Sequence, residues 1–155
     1  MTHPNNPNST YIFFELANTT YAISSSIVQQ MEMIDQITPV PKTQPFVEGV
    51  VFSRGQVIPV LNLRVKLGLP KIAYNCSTRL IVIHIHQRTV GLIVDTAREF
   101  VRVPPETIQP PPEECLGLSS RYLCGIATLG ERVILLLNVD PLLNGSEPIE
   151  PLTVP

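Results

Sequence analysis

Two stretches of this chain repeat, and the repeat limits what it can fold into. Displaced by 76 positions, FVEGV at 46–50 falls on YLCGI at 122–126, and VIPVLNL at 57–63 falls on VILLLNV at 133–139 without a gap. Displaced by 69 positions, IFF at 12–14 falls on IVI at 81–83, and YAI at 21–23 falls on VGL at 90–92. The change of offset predicts one insertion in the Pro-rich region 103–112. Two related halves in 155 residues imply two similar lobes with a seam between them, and two different sides for two partners. The segments 46–63 and 122–139 should then be equivalent hairpins, with Gly49 and Gly125 in the same place.

Within each half the apolar residues come in short runs rich in β-branched and aromatic side chains, the pattern of strands. Runs at 11–16 and 20–24 read as a hairpin turning at Asn18-Thr19, and runs at 46–52 and 56–61 as a second around Ser53-Arg54-Gly55. The second half repeats the plan with 79–86 and 89–94 joined at Gln87-Arg88, then 122–129 and 132–139 around Gly130. Ser24 to Ser26 are expected to cap a short helical turn over 27–31, and a second turn is expected over 65–69. Residues 71–78 read as the crossing between lobes, and prolines at 39, 41, 45, 104, 105 and 110–112 force extended connections. Val57, Val133, Leu135 and Leu137 are the expected core. Strands this short and closely spaced, with almost no helical periodicity, predict an all-β, barrel-like architecture.

Composition closes off several function classes. Charged residues make up only 15% of the chain against 44% hydrophobic, so the surface should carry apolar patches of the kind that bind proteins. A net charge of −2 and a pI near 5.9 give no basic field for nucleic acid. No segment approaches the roughly 20 apolar residues that span a bilayer. The opening MTHPNNPNST lacks the pattern of a secretion signal and reads as a disordered tail at 1–10, with a second tail at 145–155. Three cysteines, Cys76, Cys115 and Cys124, without CxxC spacing fit reduced thiols in the cytoplasm.

Catalytic and metal chemistry find little support. His84 and His86 share a strand face by period-2 alternation but have no third ligand spaced to join them, so they read as solvent-facing histidines. There is no GxSxG, no phosphate-cradling loop and no HExxH. No catalytic residue, metal or cofactor is expected. Asp95, Asp35 and Asp140 lie near element ends, where carboxylates cap or turn the backbone. Arg54, at a hairpin tip with apolar flanks Val50, Val51, Val57 and Ile58, is the side chain best suited to recognising a protein.

The segment GVVFSRGQVIPVLNLR at 49–64 resembles the signature GVxNLRGxxxPxxDLR of the CheW family of bacterial chemotaxis coupling proteins. VGLIVD at 90–95, YLCG at 122–125 and LLLN at 135–138 resemble later motifs of that family in the expected order, so the likeness covers residues 11–144. The resemblance implies two five-stranded SH3-like barrels packed around a shared apolar seam, with repeat halves at 11–70 and 79–144. It also implies a non-enzymatic adaptor that joins the cytoplasmic tip of a chemoreceptor to the regulatory domain of a CheA-type histidine kinase, within membrane receptor arrays. The matching receptor-binding positions are Val28, Gln30, Gly49, Arg54 and Gly55. The kinase would use lobe ends that include the loop 109–116, where Gln109, Glu113 and Glu114 stand.

Two departures from the family pattern change a charge. Gln30 stands where a Glu is usual, which removes one charge contact, and Asn62 stands where an Asp is usual. A neutral amide accepts the same backbone hydrogen bonds, so the turn at Asn62 should survive. Two rival readings are a coupling protein for pilus motility or second-messenger control, and a stand-alone SH3-like peptide-binding module. The second needs an aromatic groove, and a chain with four Tyr, five Phe and no Trp is poorly supplied for one.

Overall fold

A computed structural model describes residues 9–115 and 121–143. Its strands are β1 (Thr10–Leu16), β2 (Thr19–Ser24), β3 (Val28–Met33), β4 (Val47–Ser53), β5 (Gln56–Asn62), β6 (Arg79–Ile85), β7 (Arg88–Val94), β8 (Thr96–Arg102), β9 (Ile108–Gln109), β10 (Leu123–Leu129) and β11 (Arg132–Leu137). Two helical turns, α1 (Leu63–Lys66) and α2 (Val139–Leu143), follow β5 and β11 at equivalent places in the repeat. The expected tails fall outside the described residues except at Ser9 and Thr10. Ser9 accepts a hydrogen bond from the Val103 amide at 2.7 Å, and Thr10 begins β1.

The chain forms two compact units, and they are not its two halves. Unit 2 comprises residues 14–18 and 27–99, and unit 1 comprises the described residues on either side of them, 9–13, 19–26 and from 100 on. The sheet of unit 2 has the order β3-β6-β7-β5-β4. The other sheet has the order β8-β1-β2-β11-β10-β9, and the unit boundary falls inside β1 and β8. Each sheet therefore pairs a hairpin of one half with a hairpin of the other.

The register shows that the exchange is symmetric. In unit 2, β5 runs parallel to β7 with Val60 beside Gly91; in unit 1, β11 runs parallel to β2 with Leu136 beside Ala22. Those pairs are the same pair under the offsets of 76 and 69. The second hairpins also match rung for rung: Gly49 faces Val60 as Gly125 faces Leu136, and Ser53 faces Gln56 as Leu129 faces Arg132. Both carry a bulge at the same place, beside Glu48 in β4 and beside Cys124 in β10. The chain is thus all-β, two five-stranded SH3-like lobes related by duplication, with β9 a two-residue sixth strand.

The insertion is divided, not single. Thr38 bridges Val50 where Gln109 pairs with the equivalent Ile126, an offset of 71. Two extra residues therefore precede β9, and five follow it.

Several local expectations change. The 27–31 segment is not helical: a single 3-10 turn, Ser25–Ile27, leads into β3. The first-hairpin turns are Ala17-Asn18 and His86-Gln87, one residue earlier than expected, with φ of 52° and 67° and then 53° and 65°. Positive φ at both central residues is the two-residue turn that matches strand twist. The helical turn expected over 65–69 is α1, two residues earlier. The expected core positions Val57 and Val133 face outward, 62% and 55% exposed. Ile58 and Val60 pack inward with Val51, Leu80, Val82 and Ile93, and in unit 1 Ile134 and Leu136 pack with Tyr11, Phe13, Ala22 and Val103. Leu137 is buried as expected and Leu135 is half-buried.

Candidate functional site

The five candidate receptor-binding residues all lie in unit 2, on the outer strands β3 and β4 and the β4–β5 turn. β3 and β4 end the sheet on opposite sides, yet Gln30 Nε2 on β3 donates to Ser53 Oγ on β4 at 3.3 Å. That contact spans the two edges of the sheet beside the hairpin tip. Gln30 also donates to the Glu32 carboxylate, which accepts from the Ser53 hydroxyl at 3.2 Å. Glu32, on the same strand two residues on, thus supplies a carboxylate next to Gln30, the position where the family usually carries Glu.

Arg54 and Gly55 form the tip, with φ of 52° and 82°. Arg54 is exposed and makes no hydrogen bond or ion pair among the described residues. A residue with a β-carbon at φ 52° is held there at some cost. Gly49 works from beneath. It is buried at φ 143°, and a β-carbon there would lie 2.1 Å from the Thr38 carbonyl oxygen. Only glycine admits the Thr38–Val50 bridge, whose two backbone hydrogen bonds measure 2.8 and 2.9 Å. Val28, half-buried, pairs with Ile83 at the start of β3.

Outward positions on the same hairpin are apolar. Phe52 stands opposite Val57 and Val50 opposite Pro59, and Phe52 is 74% exposed. Sequence reasoning missed Phe52, Glu32 and Ser53. Period-2 alternation cannot orient a strand that is apolar on both faces, and the β3–β4 contact leaves no local signal.

Behind the tip, two polar clusters fix the ends of β5 and β7. Asn62, 2% exposed, caps α1 by accepting from the Val65 amide at 3.3 Å, so the turn survives the amide as expected. Its Nδ2 donates to Glu48 at 3.1 Å, and Lys71 pairs with Glu48 at 3.0 Å. Burial pushes the Glu48 carboxyl up, but hydrogen bonds from Lys71, Asn62 and Tyr74 outweigh it and hold it below its ordinary range. Burial, and after it the Glu48 carboxylate, pushes the Tyr74 phenol up. Asp95 takes a bidentate grip from Arg64 at 2.8 and 2.7 Å and accepts from the Ala17 amide at 2.8 Å. Burial alone would raise the Asp95 carboxyl, but the Arg64 and Ala17 hydrogen bonds carry it below its usual value. The structural role expected for Asp95 is what the geometry shows.

The candidate kinase-binding residues lie in unit 1. Gln109 is not in a loop but in β9, exposed and paired with Ile126. Glu113 and Glu114 are exposed in the 3-10 turn Glu113–Cys115, and Leu116 lies outside the described residues. His84 is exposed, its Nδ1 2.8 Å from the Thr89 hydroxyl, while His86 stands in the turn and not on the strand face. Burial raises the Cys124 thiol above its ordinary value.

The model of the CheW-like domain matches residues 10–147. The chain belongs to the CheW-like domain family. It is 35% identical over 137 residues to the chemotaxis protein CheW of Klebsiella aerogenes, covering 88% of this chain and 82% of that protein. It is 30% identical to the protein FrzA of Myxococcus xanthus, covering 88% and 86%. Among solved structures it is similar to the scaffolding protein TtCheW from Thermoanaerobacter tengcongensis, with a TM-score of 0.83 and 27% identity over 90% of this chain and 94% of that one. This CheW-like chain keeps the hairpin-tip Arg-Gly of the family signature. It differs beside it, with Phe52-Ser53 where Asn-Leu is usual.

Proposed function

We propose that this chain is a non-enzymatic adaptor that couples chemoreceptors to a CheA-type histidine kinase in chemotaxis signalling. The observation that carries the reading is the match to chemotaxis CheW proteins over nearly the whole described chain. Arg54, exposed at the tip of the β4–β5 hairpin with no hydrogen bond or ion pair among the described residues, supports it. The receptor contacts are Val28, Gln30, Arg54 and Gly55, with Gly49 holding the hairpin from beneath. The kinase regulatory domain binds unit 1 through residues that include Gln109, Glu113 and Glu114.

The work is binding. An adaptor that holds receptor and kinase in one geometry lets a receptor conformational change bias kinase activity, because each contact shifts the same equilibrium. The site of action is the cytoplasm, at receptor arrays. No helix among the described residues is long and apolar enough to cross a membrane. The test is a pull-down of the full chain with a receptor cytoplasmic fragment and, separately, the kinase regulatory domain from the same cell. Capture of both supports the reading, and capture of neither overturns it.

A further inference from the structure

We propose that residues 71–78, the crossing from α1 to β6, form a strap fastened to the root of the β4–β5 hairpin through one carboxylate, Glu48, with Tyr74 and Lys71 as its catches. The device is conformational and stands apart from the receptor reading.

The middle of this segment has little else to hold it. Its near end is tied where Arg64 Nη1 donates to the Pro70 carbonyl at 2.8 Å. At its far end the Asn75 amide donates to Thr78 Oγ1 at 2.8 Å, and the Thr78 amide returns to the Asn75 carbonyl at 3.1 Å. Between those ties, residues 71–74 belong to no helix or strand and make no backbone–backbone hydrogen bond among the described residues. Packing does not supply the difference. Ile72, Ala73 and Tyr74 line a small cavity with Asn62, Ile93 and Asp95, and Ile72 is left 42% exposed. What remains is the Glu48 carboxylate, which pairs with Lys71 at 3.0 Å and accepts from the Tyr74 hydroxyl as well as from Asn62.

The repeat supplies the control. Cys124 stands at the place of Glu48, beside the same bulge, and Asn138 at the place of Asn62. The bond that closes the hairpin root is the same in both units: the Asn62 amide donates to the Phe46 carbonyl and the Asn138 amide to the Tyr122 carbonyl, each at 2.7 Å. Unit 1 thus builds the bulge and the closure with a thiol and no carboxylate, so neither feature needs Glu48. Among the described residues a crossing segment follows only the first of these hairpins, and only that hairpin carries the carboxylate. Glu48 is therefore in place for the strap. It precedes Gly49 and the Thr38–Val50 bridge, so an open strap loosens the hairpin at its root.

Thermolysin, which cuts before bulky apolar residues, reports the open strap at the bond preceding Ile72. Where reclosing outpaces cleavage, the rate follows the open population. Each rate is divided by that of a free 67–78 peptide carrying the same change, and urea midpoints establish that each full-length variant is folded. Tyr74→Phe should raise cleavage about tenfold, as loss of a hydrogen bond to a charged group does. Lys71→Gln should raise it about threefold, because that side of the pair is exposed. Glu48→Cys, which copies unit 1, should release the strap at least as far as Tyr74→Phe, and adding Tyr74→Phe to it should change nothing more. Cys124→Ala should cleave like wild type. Tyr74→Phe and Lys71→Gln decide the matter if Glu48→Cys does not fold. Wild-type cleavage as fast as the free peptide, or rates unmoved by Tyr74→Phe and Lys71→Gln, would overturn the strap. A full tenfold effect of Tyr74→Phe on top of Glu48→Cys would overturn Glu48 as its fastening.

Discussion

Asn62 donates its side-chain amide to the Glu48 carboxylate at 3.1 Å while its carbonyl oxygen caps α1. One amide serves two groups of opposite need, an acceptor-seeking backbone N–H and a donor-seeking carboxylate. Aspartate, usual at this place in the family, would cap the helix as well but would face Glu48 with a second negative charge. The amide at 62 and the carboxylate at 48 therefore belong together.

Asn62→Asp should cost about 1–3 kcal/mol near neutral pH, the range for an unsatisfied buried polar contact. The deficit should shrink on acidification, because the paired carboxylates share a raised pKa and protonating one relieves the repulsion. Urea unfolding of both proteins across pH 4 to 8 measures it. A deficit that is constant with pH would show that the two side chains do not interact.

Asp95 carries the opposite pH signature. Its folded pKa lies below the ordinary 3.8, so its stabilising contribution is present above that value and is lost as pH falls through the folded pKa. Arg64→Ala should cost about 2 kcal/mol at neutral pH, since the pair is partly buried. It should also flatten the acid limb of the stability curve below about pH 4. An acid limb with unchanged slope would mean that the clamp contributes nothing.

The paired bulges give a third test. Gly49→Ala puts a β-carbon 2.1 Å from a backbone oxygen at positive φ and should cost about 2–4 kcal/mol. Gly125→Ala, its equivalent, meets the Ile108 side chain at 2.9 Å without positive φ, and a side chain gives way for about 1 kcal/mol. Denaturation midpoints of the two variants measure the difference. Equal costs would contradict the account of the Thr38–Val50 bridge.

The corrected core face gives a fourth. Leu136, fully buried, should cost about 2–5 kcal/mol on truncation to Ala, while Val133→Ala should stay within about 0.5 kcal/mol. A larger loss for Val133 in the same unfolding assay would restore the original face assignment.

The duplication was legible because matching strands carry matching apolar runs, and VIPVLNL over VILLLNV shows it without a gap. Which hairpin pairs with which was not. The Val60–Gly91 and Leu136–Ala22 contacts are long-range, and nothing local in either strand specifies a partner. β8 escaped notice because TAREFVR carries three charged residues and one Phe, all exposed, and so lacks an apolar run. The face of β5 was misread because Val57 and Ile58 are both apolar and alternation then has no phase. Arg54 was legible from chemistry alone, as Arg-Gly between two apolar strands marks a hairpin tip.

The central claim is that unit 2 presents Arg54 to a receptor while the kinase binds elsewhere. Arg54→Asp tests it most directly in matched titrations of the folded variant, one with a receptor fragment and one with the kinase regulatory domain. The exposed turn predicts folding stability within about 0.5 kcal/mol of wild type. Receptor affinity should fall by about 2 kcal/mol or more, as for an anchor residue, with kinase affinity unchanged and receptor-dependent kinase activation lost. Equal loss in both titrations, or loss in neither, would contradict the account.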